Sequence, residues 1–431
     1  MRMKLIRKFF FSIIVCIIIG SSFLSEVSFA EGELPNEEME TGFMERESVL
    51  DEKYSSYLSK IESVYVGDDI VLDQMGEIVS DSSDLTMYEG EEVIKVERNK
   101  DVTLRINAPE DNDYKIALKY LIDDENVLPT QLSLRVNGET PYYELRNLIF
   151  ESKWASPDTI PLDKYGNEIV PQPYKVYEWQ DKFLVDSSYR SSEPLLIPLE
   201  KGDNKLTLSV QEGNLLIKEL RLVGQENLDN YEYSEASGNQ MITIQGENIM
   251  YRNDSSIRAG AAFNIDLEPY HSSKRVLNFL DDSSFKNAGQ KVSYEFEVEE
   301  AGFYYLGMNY RQRARDDFPV FIHILINDEI PVAEYQNYPL DYTTEFKVHT
   351  VTDFESDTPI PIYLEEGLNT LSFVISLDPL KETIEAVEQL IYEIQLLSLE
   401  LNNLAGPNAD RHRDINVEEF IPGVTEQLIT C

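Results

Sequence analysis

Residues 113–141 read DYKIALKYLIDDENVLPTQLSLRVNGETP. Two runs of alternating apolar and polar residues flank an acidic turn, and Asn137-Gly138-Glu139 closes the second run. Alternation of period two marks a strand with one buried and one wet face. The plan returns in residues 302–331, GFYYLGMNYRQRARDDFPVFIHILINDEIP. Tyr114 matches Tyr304, Asn137 matches Asn327 and Pro141 matches Pro331, at a constant step of 190 (304 − 114 and 331 − 141). A second landmark, Ile197-Pro-Leu-Glu-Lys-Gly-Asp-Asn, matches Ile362-Tyr-Leu-Glu-Glu-Gly-Leu-Asn at a step of 165 (362 − 197). The first copy therefore carries a connection 25 residues longer (190 − 165), and binding differences belong where the copies disagree.

The chain of 431 residues has room for two or three domains, and the doubled pattern favours two. Apolar content of 42% excludes general disorder. A net charge of −42 repels polyanions, so nucleic acid is excluded as a partner. Tyrosine is abundant, at 25 residues, and suits half-buried sheets and surfaces that meet sugars or proteins.

Residues 1–30 read as a signal peptide. Arg2, Lys4, Arg7 and Lys8 give a basic start, residues 9–20 an apolar core, and Ser28-Phe29-Ala30 a cleavage site. The rest is expected to be secreted or associated with the cell surface. Cys16 leaves with the leader, so Cys431 alone remains and no internal disulfide forms.

Residues 31–62 read as an acidic spacer with a short helix, 63–226 as a first β-sandwich and 227–238 as a linker. A second sandwich is expected over 239–377, an amphipathic helix over 378–405 and a tail over 406–431. Short strands, Gly and Asn turns and the lack of a βαβ rhythm predict a mainly β chain of two tandem antiparallel jelly-roll sandwiches. In the helix Asp378 is placed to cap, and Ile384, Val387, Ile391 and Ile394 line a stripe that must be buried somewhere. Residues 142–194 lack a regular period and hold both tryptophans; a long loop of this kind often carries function.

KYLIDDE (119–125), LSLRVNGETPY (132–142), GNEIVPQ (166–172) and EPLLIPLEKGDNKLTL (193–208) occur in that order. They resemble the N-terminal β-sandwich region of large exported solute-binding proteins of sugar ABC transporters from Bacillus- and Paenibacillus-like bacteria. ITIQGENIMYRNDSSIR (242–258), NYRQRARDD (309–317) and GPNADRHRD (406–414) resemble the region that follows it. The resemblance implies carbohydrate-binding jelly rolls, with a solute-binding lobe or transporter components as partners. Related sugar-binding modules hold a structural calcium near positions 245 and 247; here Gln245 carries no charge, which leaves Glu247.

Trp154, Trp179, Tyr174, Tyr177 and Tyr189 are candidates for a sugar platform, because a flat ring stacks on the apolar face of a pyranose. Each well-stacked ring adds about 1 kcal/mol beyond area burial, enough for a millimolar-to-micromolar site from two or three. The competing reading pins the same rings to the sandwich as a satellite core. Arg311, Arg313 and Arg315 could clamp an acidic sugar, or form a turn neutralised by Asp316 and Asp317. The four histidines lack metal or catalytic spacing, and HExxH, G-x-S-x-G and phosphate-loop motifs are absent from the sequence. The reading is an exported non-catalytic protein that binds a polysaccharide or oligosaccharide, with no cofactor. A protein-docking surface module and a glycan-cleaving enzyme are the alternatives.

Overall fold

The computed structural model describes residues 52–61, 63–224, 228–236, 240–313, 316, 318–354, 356–405 and 417–424. The signal peptide, most of the acidic spacer, Arg315, Asp317 and much of the tail with Cys431 lie outside them. The described chain is mainly β, built of sandwich-like sheets, with one long helix near its C-terminal end.

The alternating runs form the strands they predict. Asn112–Leu121 buries Tyr114, Ile116, Leu118 and Tyr120 on one face, and Thr130–Val136 buries every second residue. Asn112–Leu121 lies in a seven-stranded sheet between Gln180–Phe183 and Leu215–Val223, with Glu91–Val96 and Leu85–Tyr88 beyond. Thr130–Val136 lies in a four-stranded sheet with Asp101–Ala108, Gly202–Glu212 and Leu148–Phe150. Both sheets feed one apolar cluster, as the two inner faces of a sandwich do.

In the second half Tyr338–Leu340, Val320–Ile326, Gly367–Ser376, Lys291–Val298 and Tyr251–Arg252 are neighbours in one sheet. Gly302–Tyr305 pairs with Pro361–Leu364, and Gly307–Tyr310 with Lys347–Thr350. Asn137 and Asn327 both sit at φ +51°, a left-handed turn position that Asn tolerates. Asn137 Nδ2 donates to Asn204 Oδ1 at 3.0 Å, and Asn327 Nδ2 to Asn369 Oδ1 at 3.1 Å. Ahead of each sandwich a tyrosine N–H reaches a glutamate: Tyr54 to Glu144 at 2.8 Å and Tyr231 to Glu334 at 3.0 Å.

The loop expected over 142–194 is not structureless. Lys153–Ala155 pairs with Tyr251–Arg252, and Tyr174–Val176 pairs with Lys153–Ala155, so two strands of the first half extend the sheet of the second. Beneath this junction Arg252 is buried, its guanidinium donating to the Ile257 carbonyl and the Ser156 hydroxyl. Three-residue strands show no period, which is why the sequence reads as loop.

The helix begins with a 3-10 turn, Asp378–Leu380, and runs as Lys381–Ala405. Asp378 does not cap it. Its carboxylate accepts the Ser192 backbone N–H at 2.6 Å and the Ser192 hydroxyl at 2.5 Å instead, and Arg190 pairs with Glu388 at 2.7 Å. The helix is not laid over a sandwich either: Val387, Ile391 and Ile394 stay between 41% and 48% exposed, while Leu397 is buried. Among the described residues no helix is long and apolar enough to cross a membrane.

Candidate functional site

The outer face of the first sheet carries an apolar island. Val93, Leu121 and Leu216 point away from the main core yet are buried, because Tyr88 and Trp179 cover them. Leu121 and Leu216 are direct cross-strand partners, so their side chains share one face. Tyr88 ends the strand Leu85–Tyr88, and Trp179 immediately precedes Gln180–Phe183. Their rings meet edge to face, centroids 5.7 Å apart at 88°, an arrangement the aromatic quadrupole favours.

Trp179 is half-buried, with the Lys218 ammonium 5.8 Å from its ring. Lys218 also pairs with Glu91, so its head group is fixed over the island. Burial, with Glu89 and Asp123 nearby, raises the Tyr88 hydroxyl above its ordinary range. Asp123 Oδ1 is buried and meets no donor. An acceptor left this way costs free energy, and its burial keeps it out of reach of a ligand at the surface.

Tyr177 flanks this ledge, 45% exposed, its hydroxyl donating to the Asp124 carbonyl at 3.5 Å. Lys175 anchors the loop beneath it, donating to the Asp124 carbonyl at 2.6 Å and the Asn126 carbonyl at 3.3 Å. The arrangement joins flat rings and a cation paired with Glu91. It can stack on an apolar surface.

The predicted residues do not all gather here. Trp154 is buried in the shared sheet opposite Arg252. Tyr174 stands half-exposed at the sheet edge opposite Ala155. Tyr189 holds φ +53° and packs on Gly289, where an added Cβ would meet its ring at 2.3 Å. Trp154 and Tyr189 thus stand where the two halves meet. Arg311 lies over the Phe346 ring at 4.4 Å, and Arg313 is exposed on the second half. Arg311 meets charge from Asp282 and Glu345, which a local turn alone does not supply.

Glu247 is partly buried, and its Oε2 has no hydrogen-bond partner. Burial lifts its carboxyl to about 7, its own backbone N–H opposing and Glu168 adding to the rise. Among the described residues no three His, Cys, Asp or Glu side chains gather to hold a metal. Glu247 has Glu168 near it, but with no third acidic side chain gathered there among the described residues the set falls short of the roughly six to eight oxygens that calcium takes.

Residues 382–431 match the family model described as the bacterial solute-binding protein 4-helix bundle domain. The match begins in the long helix. No curated protein matches the chain. Among solved structures, the Podospora anserina GH26-CBM35 β-(1,4)-mannanase is 10% identical over 39% of this chain and 30% of its own, with a TM-score of 0.22. A family 35 carbohydrate binding module from an environmental isolate is 12% identical over 38% of this chain and 89% of its own, at 0.18. The cycloalternan-forming enzyme from Listeria monocytogenes is 13% identical over 72% of this chain and 20% of its own, at 0.20. This chain spans about a third or less of the first enzymes it matches. Likenesses at such TM-scores carry no argument.

The sequence singled out Trp179 and Tyr177 but missed Tyr88 and Lys218. Tyr88 reads as one strand aromatic among many, and only strand pairing brings it to Trp179. A signal was present: Leu121-Ile122 and Leu215-Leu216-Ile217 are apolar without a break, so both sheet faces need cover.

Proposed function

We propose that the protein is an exported, non-catalytic carbohydrate-binding protein tied to polysaccharide capture or to sugar uptake. The observation that carries this reading is the half-buried Trp179 ring, set edge-on to Tyr88 with the Lys218 ammonium 5.8 Å from it. A pyranose stacked on Trp179 brings its hydroxyls toward the Lys218–Glu91 pair, and the pre-fixed rings lose little entropy on binding. The solute-binding match over residues 382–431 supports the link to uptake. The basic and apolar start of the chain supports export.

Affinity electrophoresis against a panel of plant and microbial polysaccharides tests it. The protein is expected to be retarded by at least one polymer, and Trp179→Ala to lose that retardation while remaining folded. No retardation by any member would count against the reading. The docking-module alternative draws support from exposed Val387, Ile391 and Ile394 on the long helix. It predicts that Trp179→Ala changes stability alone.

A further inference from the structure

A cavity of about 290 Å³ opens in the second half. Its walls include Phe296, Leu306, Ile326, Ile362 and Leu371, and Ala236, Met241 and Tyr305 are exposed parts of its lining. Polar groups meet at one end, where the Tyr304 hydroxyl donates to Gln240 Oε1 at 2.9 Å and to the Glu300 carbonyl at 2.7 Å. Gln240 Oε1 also accepts the Glu299 N–H at 3.2 Å. The one Tyr304 hydrogen serves either Gln240 or the Glu300 carbonyl, so a second lone pair of Oε1 is open to an incoming donor when it serves Glu300.

The first half fills the same place. Tyr114 lies opposite Ile197 as Tyr304 lies opposite Ile362. Tyr65 stacks on Tyr114, centroids 4.7 Å apart at 27°, and its backbone N–H holds it there by donating to the Asp113 carbonyl at 2.9 Å. Tyr114 and Ile116 are fully buried under this plug, whereas Tyr304 and Leu306 are only half-buried. Among the described residues of the corresponding strap, Ala236, Gln240, Met241, Ile242 and Ile244 line the cavity, none of them a ring. Among those residues nothing takes the place of Tyr65.

We propose that this cavity binds a small apolar ligand, an alkyl chain of about ten non-hydrogen atoms ending in a hydroxyl at Gln240. The size follows from the volume: a dry cavity near 150 Å³ takes benzene, and this one is about twice that. The class follows from the walls, which offer methyl and phenyl surface, and from the single polar end. The ledge around Trp179 lies on the first half, so failure here leaves the glycan reading untouched.

Isothermal titration of the full chain with n-alkanols from hexanol to dodecanol tests it. Affinity is expected to rise about fourfold per methylene until the cavity is full and then to level off. Ala236→Trp, a change at an exposed strap position, supplies the missing plug and is expected to weaken decanol binding at least tenfold. Gln240→Leu keeps the lining apolar and is expected to abolish the preference for decanol over decane. That second variant carries the test if the first does not fold. No heat with any alkanol, or decanol binding unchanged in both variants, overturns the proposal.

Discussion

Glu247 holds a carboxyl oxygen that burial has removed from water and that no donor meets. Its folded pKa of about 7 lies above the ordinary 4.5, so the group favours folding in full below pH 4.5 and loses that contribution as pH rises through 7. Glu247→Gln removes the titration while keeping the shape. Urea unfolding is expected to show the variant gaining on the parent between pH 5 and pH 8, by about 1–2 kcal/mol once partial exposure is discounted. An equal difference at both pH values would exclude this origin. Gly289 acts at the same scale: its φ of +77° and the Tyr189 ring leave no room for a side chain. Gly289→Ala is expected to lower stability by about 1–3 kcal/mol, read as an earlier urea midpoint.

Among the elements, the root of the long helix is tied to both halves. Asp378 accepts from Ser192 of the first half, and His323 of the second stands 3.5 Å from the same carboxylate. His323 Nδ1 accepts the Asn337 N–H at 3.2 Å, which needs an imidazole unprotonated at that nitrogen. Burial lowers its pKa, with Asp378 opposing. The unfolded chain therefore takes up this proton first, and stability falls as pH drops below 6.5. Ser192→Ala removes one donor, worth about 1 kcal/mol. Hydrogen exchange of the helix's first turn is expected to quicken by about fivefold, with the core strands unchanged; unchanged exchange at that turn would show that Ser192 does not hold it.

Element by element, legibility in the sequence followed periodicity. The strands around residues 113–141 and the helix were plain because their side chains repeat at periods of 2 and 3.6. The strand Lys153–Ala155 is hidden because it pairs about a hundred residues away, at Tyr251 and Arg252, and Tyr174–Val176 is hidden because it only adds to that three-residue strand. The site was half legible for the same reason. Trp179 and Tyr177 stand out by residue type, whereas Tyr88 and Lys218 matter only because strand pairing brings them to Trp179. Trp154, equally conspicuous in sequence, serves the sheet.

For the molecule as a whole, the shared sheet makes the halves mechanically one. Breaking them apart would unpair Lys153–Ala155 from Tyr251–Arg252 and expose the buried Arg252. Calorimetry is therefore expected to show one cooperative transition, and two resolved transitions would contradict the coupling. The strong negative charge keeps the chain from polyanions, and the half-exposed stripe of the long helix faces outward from this unit. The central claim concerns the ledge. The chain has two tryptophans, one buried in the shared sheet and one on the ledge. Trp154→Phe thus leaves Trp179 as the sole indole reporter. Titrating that variant with oligosaccharides from any polymer that retards the protein is expected to shift Trp179 emission to the blue and saturate with the binding curve. Saturable binding with Trp179 emission unmoved would place the sugar elsewhere and contradict the account.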